Sequence, residues 1–139
     1  MNISNLNQAF IEIAEKKNQL NRCGHEDQKY SSLMEEIATL QDKFQYEYGA
    51  YIEEALFNVH DEFCPDNEVK KPVLYMANSY ASGNETCEYD VANDEGIAVE
   101  ADDFPGINAK LVLVPGPTRL ILQGQTVPFK ETVWIASEN

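Results

Sequence analysis

Residues 27–65, DQKYSSLMEEIATLQDKFQYEYGAYIEEALFNVHDEFCP, decide the architecture. Tyr30, Leu33, Ile37, Leu40 and Phe44 step alternately by three and four, the seam of an amphipathic helix. Beyond Phe44 the apolar series Tyr48, Ile52, Ala55, Leu56, Val59 and Phe63 steps mostly by four, which rotates the buried face away from that seam. The rotation falls beside Gly49, where helix propensity is lowest and a kink is cheapest. The Cys64-Pro65 step ends the pattern. A helix over this span is roughly 50 Å long. Its first half, to about residue 46, has one face to bury, and residues 48–63 have another.

Upstream, Ile3, Leu6, Phe10, Ile13, Lys17 and Leu20 repeat the same alternation, with one charged intruder. This reads as a helix from about Ser4 to Arg22, roughly 30 Å long, capped by Ser4 or Asn5 and closed by a left-handed Gly24. The short link Cys23-Gly24-His25-Glu26 folds the two helices back antiparallel.

Downstream, the composition shifts. All six prolines and five of the seven glycines lie at or after Pro65, among short β-branched runs. Strands are expected at Val73–Tyr80, Thr86–Ala92, Gly96–Ala101, Lys110–Val114, Thr118–Gln123 and Thr132–Ala136. Ile97, Val99 and Ala101 point inward, and the strand 110–114, apolar on both faces, is central. Trp134 sits mid-strand as a core or sheet-covering residue. The expectation is an α+β fold. A helical hairpin with a long second helix (1–64) precedes a small antiparallel sheet of about six strands (65–139), a sandwich or half-open barrel. The sheet half shares its core with residues 48–63, since some seventy residues are marginal for an independent β domain.

The 139 residues include 24 acidic and 10 basic side chains, a net charge of −14. That sign argues against nucleic acid or anionic lipid as direct partners. Each half carries −7, so the excess is even overall. It is dense only in Glu85, Glu88, Asp90, Asp94, Glu95, Glu100, Asp102 and Asp103, a run with no Lys or Arg between Lys71 and Lys110. A charge run of this kind reads first as a solvated face and second as an anionic patch that docks a basic partner. A metal loop of Asp94, Glu95, Asp102 and Asp103 is a third reading. The EF-hand pattern fails, because Val91 stands where the first ligand belongs.

Cys23 and His25 with His60 and Cys64 are ligand types suited to zinc, but the hairpin sets the two pairs at opposite ends of a long helix. No GxSxG, HExxH, P-loop or GxGxxG motif occurs. His60 and Asp61 are neighbours on a helix and diverge by about 100°, wrong for a base and its orienter. Neither enzymatic activity nor a cofactor is expected. The opening residues lack a secretory leader, and three scattered cysteines, Cys23, Cys64 and Cys87, fit reduced thiols in the cytoplasm.

Tyr46, Tyr48 and Tyr51 with Phe44, Ile52 and Phe57 spread apolar and amphipathic surface over more than one face of the second helix. Burial against the β half is one use for it; a homodimer through Tyr48, Tyr51 and Ile52 is the other. The functional expectation is a non-catalytic protein-interaction or adaptor module that self-associates through this helix. The alternative is an acidic antagonist, toxin-neutralising or polyanion-mimicking, bound in a basic cleft. A divalent-cation module is the minority alternative.

Overall fold

The computed structural model describes residues 1–82, 89–103, 105–125 and 129–137. Helix α1 spans Ile3–Arg22, and the side chain of Asn2, rather than Ser4 or Asn5, caps it by accepting from the Asn5 N–H at 3.0 Å. It closes on extended Cys23, whose N–H reaches the Leu20 carbonyl, so Gly24 takes no left-handed conformation. Helix α2 spans Gln28–Phe63, starts at an Asp27 cap and ends where the Cys64 N–H donates to the His60 carbonyl. Its 36 residues form one helix of about 54 Å, uninterrupted at Gly49. The end of the Gln45 side chain occupies the space where a Cβ at position 49 would stand, and its Oε1 reaches the Val73 N–H. No helix among the described residues is long and apolar enough to cross a membrane.

Phe10 joins the two helices, its ring 5.6 Å from Phe44 and 5.8 Å from Tyr80. The polar stripe of α1 grips the following chain. Lys17 Nζ donates to the Ala77 carbonyl, Asn18 bonds both the N–H and the carbonyl of Tyr80, and Asn21 takes the Asn78 carbonyl. Lys17 is thus no intruder in a seam but a clamp on a second segment.

The expected strand Val73–Tyr80 is instead a 3₁₀ turn, Pro72–Tyr75, with Met76 alone bridging Leu113. Pro72 at the head of the turn presets its φ, and Tyr75 turns inward to zero exposure. A two-stranded ribbon pairs β1 (Ala81–Ser82) with β2 (Tyr89–Asp90). A separate antiparallel sheet runs in the order β3 (Ile97–Val99), β4 (Ala109–Val114), β5 (Arg119–Gly124), β6 (Lys130–Ile135). The fold is therefore α+β, with four strands in its main sheet and, among the described residues, β3 and β6 at its edges.

One sheet face carries Leu111, Leu113, Leu120, Leu122 and Trp134, and meets α2, with the Trp134 ring 5.8 Å from Tyr51. The other face is covered by residues 89–95, that is, by β2 of the ribbon and the segment that follows it. Arg119 donates to the Tyr89 carbonyl, Gln123 to those of Ala92 and Glu95, and Lys130 to that of Val91. This explains why β4 and β5 are buried on both sides. Gly96 ends the covering segment at φ +110°, where a Cβ would meet the Leu111 carbonyl oxygen at 2.6 Å. Ile52, Leu56 and Val59 lie in one continuous core with Phe10, Leu111 and Leu122.

Candidate partner-binding site

Two chain segments meet beyond the C-terminal end of α2. The Asp102 N–H donates to the Phe63 carbonyl at 2.8 Å, and the Glu100 N–H to Asn67 Oδ1 at 2.7 Å. These bonds pin the chain after β3 against the loop after the helix. Between the loops lies an open cavity of about 740 Å³, whose wall includes Asp66, Asn67, Glu100, Asp102, Lys110 and Gln125. Asp66, Glu100 and Asp102 are exposed and form no ion pair among the described residues. Lys110 is the one cation among the described residues of the wall.

The loop carrying Asp66 and Asn67 is backed by a buried polar chain. His60 Nδ1 lies 2.9 Å from the Asn67 carbonyl, and Nε2 lies 2.9 Å from Tyr75 Oη, which also accepts from the Lys70 N–H at 3.1 Å. A carbonyl only accepts, so in neutral His60 the proton sits on Nδ1 and Tyr75 donates to Nε2. Burial raises the Tyr75 hydroxyl above its ordinary value, with the Lys70 N–H opposing and Cys64 adding to the rise. Asn67 thus works twice, its carbonyl on His60 and its side chain on Glu100. Beside it, burial and then the Asp102 charge push the Cys64 thiol up to about 11, so it stays protonated.

The acidic run divides. Glu85 and Glu88 lie outside the described residues. Asp90 is paired with Lys130 at 2.7 Å; burial would raise its carboxyl, but Lys130, the Val91 N–H and Arg119 together hold it below its ordinary value. Glu95 accepts from the N–H groups of Asn78 and Ser79, so it clamps the chain internally. Asp94 and Asp103 are exposed away from these bonds. Of the run's described residues, only Glu100 and Asp102 join the cavity, together with Asp66, which precedes the run.

No group of three or more His, Cys, Asp or Glu gathers to hold a metal among the described residues. Neither the Asp94, Glu95, Asp102, Asp103 loop nor the Cys23, His25, His60, Cys64 set comes together there. His60 is instead a buried residue of α2, 3% exposed. Its place in the series Ile52, Leu56, His60, each four residues apart, was the available signal.

On α2, Ile52 is fully buried in the chain's own core. Tyr51 packs on Trp134 and its hydroxyl donates to the Ser137 carbonyl, while Tyr48 is half-buried against Phe44, 5.3 Å between rings. The aromatic residues that face outward are Tyr46, 91% exposed, and Phe57, 56% exposed. No family model, curated protein or solved structure matches the chain.

Proposed function

We propose that this chain is a non-catalytic protein-interaction module that receives a basic segment of a partner protein in the cavity walled by Asp66, Glu100 and Asp102. One observation carries the reading: three exposed acidic residues from two separate segments line one concavity and have no cation paired with them among the described residues. The backbones of Glu100 and Asp102 are pinned to the loop after α2 by the Glu100–Asn67 and Asp102–Phe63 bonds, so the segment that carries these two residues is ordered before a partner arrives. Concave shape favours an adaptor that accepts a protruding lysine- or arginine-rich loop. An antagonist filling a basic cleft needs a convex acidic surface instead. We place the module in the cytoplasm, where Cys23 and the protonated Cys64 thiol stay reduced.

The test is fluorescence anisotropy of a labelled oligo-arginine peptide titrated with the whole protein at low and high salt. Affinity is expected to fall at least tenfold with added salt. An affinity indifferent to salt contradicts the reading.

A further inference from the structure

The outward face of α2 is apolar at its centre and acidic at both margins. At about 100° per residue, Tyr46, Ala50 and Phe57 fall within roughly 40° of one another, and the two aromatic rings stand about 16 Å apart along the axis. Tyr46 is 91% exposed and Phe57 56% exposed, with exposed Ala50 leaving a notch between them. Asp42 and Glu53 border this stripe on one side, and Glu47, Glu54 and Asp61 on the other, all exposed. None of the five is ion-paired among the described residues, and Lys43 is the one cation that α2 itself places beside the stripe.

From this arrangement we infer that the outward face of α2 docks a basic amphipathic helix of a partner protein. A hydrophobic centre within a charged rim is the anatomy of a specific interface. The rim sets the sign of the occupant: apolar residues at helical spacing fill the notch, and flanking lysines or arginines meet the two acidic margins. A second copy of this chain is the poorer occupant. A two-fold pairing would lay the acidic margins against each other, between two molecules each carrying −14. This site lies outside the acid-walled cavity and stands or falls apart from it.

The probe is a labelled synthetic helix with leucines on one face flanked by lysines, followed by anisotropy with the full-length protein. The double variant Tyr46→Ala/Phe57→Ala is expected to weaken binding at least tenfold with an unchanged circular dichroism spectrum, while Tyr46→Phe retains binding. The cavity variant Asp66→Asn/Glu100→Gln/Asp102→Asn is expected to bind the helix as wild type does. Equal binding of a scrambled peptide with the same charge overturns the inference, as does loss of binding in the cavity variant alone. Light scattering that shows a dimer dissolved by the double alanine variant assigns the face to a second copy and overturns it too.

Discussion

The hydroxyl of Tyr75 lies 2.9 Å from Nε2 of His60, inside the core and fifteen positions away in sequence. The same oxygen accepts from the Lys70 N–H, so one atom ties α2 to the loop that carries Asp66 and Asn67. Tyr75→Phe keeps the ring and strands two polar groups, the imidazole nitrogen and the amide. It is expected to cost about 1–3 kcal/mol in urea denaturation. A double-mutant cycle with His60→Phe is expected to show a coupling of about 0.5–3 kcal/mol; additive losses would mean the bond does not form.

Gly96 and Gly106 both hold a positive φ, +110° and +80°, but only Gly96 is enclosed. At Gly96 a Cβ would also meet Val112 Cβ at 2.9 Å, whereas nothing lies within 4 Å at Gly106. Gly96→Ala is expected to cost about 2–4 kcal/mol, from backbone strain plus overpacking. Gly106→Ala carries the strain alone, about 1–2 kcal/mol. Equal losses in chemical denaturation would remove the packing contribution.

Asn18 acts as a substitute strand, its amide accepting from the Tyr80 N–H and donating to the Tyr80 carbonyl, both at 2.9 Å. Asn18→Ala leaves both backbone groups without their partner and is expected to cost about 1–3 kcal/mol. Asn21→Ala removes one exposed bond, to the Asn78 carbonyl, and is expected to cost under about 1 kcal/mol. Thermal denaturation of the two variants side by side checks the order.

Burial lowers Lys17 from 10.5 to about 8, against the pull of Glu95. The unfolded chain therefore holds more protons than the folded one between those values, and stability climbs as pH rises through that window. Cys64 acts in the opposite sense: its folded value of about 11 exceeds the ordinary 9.0, so stability falls as pH rises past 9. Between pH 8 and 9 the Lys17 effect is expected to add about 1 kcal/mol. In Lys17→Met this climb is absent, and a climb that persists in the variant would assign it elsewhere.

The periodicities of both helices and the central position of residues 110–114 were legible because burial there follows a period of 3.6 or 2. What escaped were places where one residue satisfies a distant backbone. Lys17 looked like a flaw in a seam until Ala77 supplied its carbonyl. The stretch 73–80 looked like a strand because it opens on the short apolar run Val73–Ala77, yet Pro72 and the inward reach of Tyr75 make it a turn. The acidic run was visible as charge, but whether a carboxylate is clamped, as Glu95 is, or open, as Glu100 is, depends on contacts made across the fold. Asp66 belongs with the open group and gave no sign of it, lying thirty-four residues before Glu100.

Site-specific neutralisation distinguishes a binding site from bulk charge. Asp66→Asn/Glu100→Gln/Asp102→Asn and the control Glu12→Gln/Glu26→Gln/Glu35→Gln change the net charge equally, and all six carboxylates are exposed. The decisive measurement is the affinity of each triple variant for the oligo-arginine peptide at one fixed salt concentration. The cavity variant is expected to bind at least tenfold more weakly than the control. Equal affinities would show that the peptide reads only the overall charge, and would contradict the cavity as the partner site.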